Sequence, residues 1–143
     1  MTSAPPLNLL LVEDDDVAAE AVVRGLHRHA MHCPVIQAED GNTALQILRG
    51  NHTARRIAKP YLVLLDLNMP RMNGFEFLAA LRADPELCDT VVFVLTTSSA
   101  ETDRARAYKK NIAGYIVKSA IGPQFSGLAR FLTEYRWAVQ LPA

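Results

Sequence analysis

The chain has 143 residues, half of them apolar, which is enough for one domain with a sizeable core. Fifteen basic and fifteen acidic side chains cancel, so no net field argues for nucleic acid or an anionic membrane as a partner. Two cysteines make no disulfide framework, the N-terminus has no signal-peptide pattern and no apolar run reaches the ~18 residues that span a membrane, so a cytoplasmic protein is expected.

Residues 1–6 read as a polar, proline-containing tail that is expected to be disordered, with one domain over residues 7–143. Residues 7–12 are an apolar strand that ends on Glu13-Asp14-Asp15-Asp16. Capping of the following helix explains one or two of these acids but not all of them at the tip of a buried strand. That helix carries Ala18, Ala21, Val22, Gly25, Leu26 and His29 on one face. Residues 33–38 make a second strand, and residues 43–49 a short helix stopped by Gly50. A basic loop over 51–60 is longer than most connections.

The third strand begins at Tyr61 and is apolar through Leu65, the pattern of a strand buried on both faces of a parallel sheet. It ends on Asp66, in a turn closed by Pro70 and Gly74. Asn73 caps a third helix with Phe75, Phe77, Leu78 and Leu81 as its stripe, ended by Asp84-Pro85. Residues 90–96 form a fourth strand closing on the hydroxyl cluster Thr96-Thr97-Ser98-Ser99. A charged, weakly amphipathic helix over 101–110 has Ala105 and Tyr108 as its inward candidates. Residues 114–117 are a short fifth strand ending on Lys118, and from Ile121 onward Phe125, Leu128, Leu132, Tyr135 and Val139 define a last helix with Trp137 on its far side. This β-α alternation requires right-handed crossovers: a (βα)5, doubly wound α/β domain around a five-stranded parallel sheet.

In such sheets chemistry collects beyond the carboxyl ends of the strands. There the sequence puts Glu13 and Asp14, Asp66, Thr96 and Lys118. Crowded carboxylates repel one another unless a cation neutralises them, and an oxygen-only set suits a hard ion such as Mg²⁺. An ammonium and a hydroxyl nearby can hold two oxygens of a tetrahedral anion. The set is suited to phosphoryl transfer onto a carboxylate, with Asp66 as nucleophile. His27, His29, His32 and Cys33 cluster in sequence, but their spacing fits no standard zinc pattern.

These residues resemble the CheY-like receiver domain of two-component response regulators, a flavodoxin-like fold, over essentially the whole chain. The resemblance rests on Val12-Glu13-Asp14-Asp15, Leu65-Asp66-Leu67-Asn68-Met69-Pro70 with Gly74, Leu95-Thr96-Thr97-Ser98 and Gly114-Tyr115-Ile116-Val117-Lys118. It implies that Asp66 accepts a phosphoryl group from a histidine kinase. It implies that Asp14 and Asp66 contact Mg²⁺, that Glu13 reaches it through water and that the Asn68 carbonyl is a further ligand. Lys118 would pair with phosphoryl oxygens, Thr96 would turn inward to the phosphoryl group and Tyr115 would fill the space it leaves. Asn68 and Ser98 match the positions that tune dephosphorylation. The chain departs from the family at Ser119, where a proline normally follows the lysine in a cis bond. A cis bond before Ser would cost roughly 2.5–4 kcal/mol, so a trans Lys118–Ser119 bond and a rearranged loop are expected.

No output domain or helix-turn-helix pattern is visible, so output is expected through protein contact, as in single-domain regulators. The loop at 51–60, the Leu-Thr-Thr-Ser cluster and Trp137 are similar to regulators paired with bacterial phytochrome kinases. A homodimer through the last two helices and the fifth strand is expected. Two alternatives remain open: a docking module that is never phosphorylated, and a phosphatase with an aspartyl nucleophile. The second meets Asn68 where such enzymes carry a general acid.

Overall fold

The computed structural model describes residues 3–69 and 71–143, so Pro70 and the first two residues of the expected tail lie outside the described residues. Five parallel strands, β1 (Asn8–Val12), β2 (Val35–Ala38), β3 (Tyr61–Leu65), β4 (Val92–Thr96) and β5 (Gly114–Val117), form one sheet in the order β2-β1-β3-β4-β5. The helices are α1 (Asp16–Arg28), α2 (Gly41–Arg49), α3 (Gly74–Ala83), α4 (Glu101–Tyr108) and α5 (Ser126–Ala138). The fold is the flavodoxin-like (βα)5 arrangement.

Side-chain alternation along the strands sorts the core into two halves. Leu10, Val12, Val63, Leu65, Val92 and Val94 face a layer containing Ala44, Ile47, Phe77 and Leu78 of α2 and α3. Leu9, Leu11, Leu62, Leu64, Phe93 and Leu95 face Val22 and Leu26 of α1 and Leu128 and Leu132 of α5. β1 therefore sits between a strand that follows it through α1 and one that comes two crossovers later. The chain reverses its winding there, and a crevice opens at the carboxyl ends of β1 and β3. Among the described residues no helix is long and apolar enough to cross a membrane.

Several boundaries differ from the sequence expectation. β2 begins at Val35 rather than Cys33, because Pro34 has no N–H to donate and only its carbonyl pairs, with Leu9 N at 3.0 Å. β4 begins at Val92, since the Thr90 amide closes a turn onto the Leu87 carbonyl. α2 starts two residues early, at Gly41, because Asp40 caps it by accepting from Thr43 N at 2.8 Å. The buried face of α1 is Ala19, Val22, Gly25 and Leu26; Ala21 is exposed, and His29 terminates the helix instead of extending its apolar face.

The inward candidates of α4 were misassigned. Ala105 is exposed and Tyr108 is 48% exposed, while Ala107 is the buried residue. The last helix starts at Ser126, not Ile121. Before it come two 3₁₀ turns, Lys118–Ala120 and Pro123–Phe125, with Gln124 and Phe125 at positive φ. Gly25 of α1 allows this segment to pack closely, since a Cβ there would lie 2.4 Å from the Gln124 carbonyl oxygen. Trp137 is 52% exposed, on the far side of α5 from the core as expected.

Candidate functional site

The four consecutive acids after β1 divide the work. Glu13 is buried, and its N–H continues the sheet by donating to the Ala38 carbonyl at 2.9 Å. Asp14 is exposed at the rim. Asp15 caps α1, its carboxylate accepting from Val17 N at 2.9 Å and Ala18 N at 3.3 Å. Asp16 accepts from the Gln37 amide at 3.0 Å, and the same amide donates to the Glu13 carbonyl at 3.0 Å. Two acids are thus taken up by the helix start and two are left for the crevice.

Asp66 follows β3 beside them, and its N–H donates to the Val12 carbonyl at 3.0 Å. Carboxylate oxygens of Glu13, Asp14 and Asp66 lie within 4.8 Å of one another. Burial pushes the Glu13 carboxyl above its ordinary value; the Lys118 ammonium opposes the rise and the Asp66 charge adds to it. Desolvation also raises Asp14, with the Glu13 charge contributing. The turn after Asp66 is tightly packed. Gly74 N donates to the Leu67 carbonyl at 3.1 Å, and a Cβ on Gly74 would lie 2.7 Å from Leu67 Cα and 2.8 Å from the Asp66 carbonyl oxygen. Asn68 is exposed, with its N–H directed at the Asp66 carboxylate at 3.4 Å.

Lys118 enters from β5. Its Nζ donates to Glu13 Oε1 at 2.9 Å, with 18% and 4% of the two side chains exposed. The cis peptide bond found among the described residues is Lys59–Pro60, so Lys118–Ser119 is trans. The rearranged loop is the Lys118–Ala120 3₁₀ turn, and the ammonium still reaches the acidic cluster.

On the β4 side, Thr96 is fully buried and its Oγ1 accepts from Ser98 N at 3.3 Å. Tyr115 is half-buried, and its hydroxyl donates to the Ser98 carbonyl at 3.0 Å. The Ser98 hydroxyl donates to Asp103 Oδ2 on α4 at 2.6 Å. The structure therefore brings Glu13, Asp14, Asp66 and Lys118 together, and links Thr96, Ser98 and Tyr115 in a second group beside them. Sequence reasoning missed Asp103 and the Lys118–Glu13 pair. A helix-start acid five residues past Ser98 was the signal available for the first; the second joins residues 105 positions apart.

The donor set fits a hard divalent cation. It consists of oxygen ligands alone and it is crowded; Glu13 and Asp14 are raised first by burial and further by their neighbouring carboxylates, and a bound cation would offset both.

The family described as "Response regulator receiver domain" matches residues 9–125. Response regulator Rcp1 of Synechocystis sp. is 35% identical over 82% of this chain and 80% of its own. The crystal structure of the phosphorylated cyanobacterial phytochrome response regulator RcpA superimposes with a TM-score of 0.82 at 30% identity, covering 99% of this chain and 100% of that one. The Mn²⁺-bound form of Rcp1 gives 0.80 at 31% identity over 96% and 100% of the two chains.

Proposed function

The chain belongs to the response regulator receiver domain family, and on that premise we propose that it accepts a phosphoryl group on Asp66 and signals the change to a protein partner. The observation that carries this reading is the convergence of Glu13, Asp14 and Asp66 with the Lys118 ammonium at the carboxyl rim of the sheet. An Asp66 carboxylate oxygen attacks the phosphorus of a kinase phosphohistidine. The P–N bond breaks, and its electron pair leaves with the imidazole, which takes up a proton. Lys118, tied to Glu13 beforehand, would pair with the incoming oxygens, and the buried Thr96 hydroxyl would turn inward to donate to one of them.

Receiver domains bind Mg²⁺ at an acidic site, and here Glu13, Asp14, Asp66 and the Asn68 backbone carbonyl would hold it. Its chemistry would be to offset negative charge on the carboxylates and phosphoryl oxygens. Similarity to RcpA and Rcp1 supports a phytochrome-type histidine kinase as the donor. The direct test is labelling from candidate phosphorylated kinases with Mg²⁺. Wild type is expected to take up label that Asp66→Asn loses entirely; equal labelling of both would overturn the assignment. Small phosphate esters should show no turnover, in keeping with Asn68 standing where a phosphatase carries its general acid.

For the output, the reading favours a homodimer through α4, β5 and α5. Tyr108, Phe131 and Trp137 are exposed on these helices, and a groove of about 340 Å³ lined by Tyr115, Ile116, Ile121 and Phe131 runs between α4 and α5. Light scattering over a concentration series should show self-association. A strict monomer at high micromolar concentration would exclude it.

A further inference from the structure

Ser98, in the β4–α4 loop, makes the side-chain hydrogen bond that joins the second group of the site to the helix beside it. Ser98 N–H donates to the buried Thr96 hydroxyl at 3.3 Å, and the Ser98 carbonyl accepts from the Tyr115 hydroxyl at 3.0 Å. The Ser98 hydroxyl donates to Asp103 at 2.6 Å and accepts from Ala100 N at 3.3 Å. Ser98 therefore has its backbone turned to the site and its side chain turned to α4. What sets that orientation is the carboxylate. Bonds to an ionised acceptor are short and strong, and this is the shortest of the contacts around Ser98.

α4 has little else to hold its first turn. Its N-cap, Ala100, makes no side-chain cap bond, and the one residue that α4 buries, Ala107, lies near its other end. Asp103 belongs to that first turn, so its bond to Ser98 spans the gap between loop and helix. Glu101, in the same turn, is paired instead with Arg104 at 3.5 Å and is largely exposed.

We propose that Asp103 is a positioning residue for the acceptor site, acting through Ser98 to hold the β4–α4 loop and, with it, Thr96. The inference rests on reading Asp66 as the acceptor. With Asp103 in place, the loop keeps the Thr96 hydroxyl ordered beside a phosphoryl group and keeps the Ser98 hydroxyl on α4. With the bond gone, the loop opens more often, Thr96 holds the phosphoryl oxygens less well and water attacks phosphorus more readily. The rate of phosphoryl loss then depends on the state of α4, although Asp103 touches none of the reacting atoms.

The test is labelling from acetyl phosphate with Mg²⁺, in which the Asp66 O–P bond forms and acetate leaves with the electron pair, followed by decay of the label after the donor is removed. Asp103→Ala is expected to shorten the half-life about tenfold, equivalent to about 1.4 kcal/mol. Ser98→Ala, which also loses the contact from Ala100 N, should shorten it at least as much, and the double variant should lose no more than Ser98→Ala alone, because the bond that Asp103→Ala removes is then already gone. Asp103→Asn keeps an acceptor oxygen and should restore most of the lifetime. Glu101→Gln removes a carboxylate from the same turn and should leave it unchanged.

An unaltered half-life in Asp103→Ala, additive losses in the double variant, no recovery in Asp103→Asn or an equal loss in Glu101→Gln would each overturn the proposal. Amide exchange of Ser98 and Ala100 reads the contact without any phosphodonor. It should quicken about tenfold in Asp103→Ala, and unchanged exchange would overturn the proposal even if Asp66 proved not to be an acceptor. Equal labelling of wild type and Asp66→Asn would instead overturn the acceptor reading.

Discussion

α3 and α4 follow adjacent strands, yet they are held to the sheet in different ways. α3 starts on a capping box, with Asn73 accepting from Glu76 N at 2.9 Å and the Glu76 carboxylate accepting from Asn73 N at 3.1 Å. It buries Gly74, Phe77, Leu78 and Leu81. α4 buries Ala107 and starts without a side-chain cap. Its far end is anchored by α3 itself. The Arg82 guanidinium donates to the carbonyls of Lys110 at 2.7 Å and Asn111 at 3.0 Å just past α4, and to those of Cys88 and Thr90 at 2.8 Å each. α4 is thus fixed at its C-terminal end and held at its N-terminal end by polar contacts alone. Asp66 precedes the firmly docked helix and Thr96 the loosely docked one. A phosphoryl acceptor, the role proposed for Asp66, needs fixed geometry, whereas a responding element, the role proposed for Thr96, needs alternatives close in energy.

The largest expected effect comes from breaking the firm side. Gly74→Ala would force a Cβ against Leu67 Cα and the Asp66 carbonyl oxygen, both backbone atoms that cannot swing aside. Overpacking of this kind costs about 3 kcal/mol, and urea unfolding of the variant should show it. Label uptake should fall as well, because the strained turn carries Asp66, the proposed acceptor. A variant as stable as wild type would mean that the turn after β3 yields, and the contrast between the two helices would lose its basis.

That contrast also marks what the sequence made legible. Apolar strands ending on Asp66, Glu13 and Lys118 are written in local pattern, so the sheet and the list of rim residues could be read directly. α3 was equally plain, with Asn73 before it and an apolar stripe inside it. α4 was legible as a helix starting at Glu101, but its inward face was not: a helix that buries one alanine leaves almost no periodic signal, and Ala105 and Tyr108 were expected inward where Ala107 is. The partners of the rim residues were also hidden. That Lys118 meets Glu13 and that Ser98 turns to Asp103 depends on side-chain reach across loops, which spacing does not encode. The same holds for Ser119: the missing proline announced a different turn, but not that Lys118 would reach the acidic cluster from it.

The loose side can be sharpened by a smaller change. Ala100 has the extended backbone of an N-cap, φ −65° and ψ 130°, without a side chain able to accept from the first turn. Ala100→Asp supplies that acceptor and places a negative charge at the positive end of the helix dipole, worth about 0.5–1 kcal/mol in total once Glu101 and Asp103 nearby are allowed for. Thermal unfolding should register the gain as a modest rise in midpoint. The more telling readout is amide exchange over residues 97–104, which should slow in Ala100→Asp while exchange in α3 stays as it was. If α4 is held loosely because it lacks a cap, this substitution makes it resemble α3 at its first turn and makes the Ser98–Asp103 bond matter less. Combining Ala100→Asp with Asp103→Ala should then recover part of the exchange protection that Asp103→Ala loses alone. No recovery would mean that the bond to Ser98, and not the missing cap, governs the N-terminal end of α4.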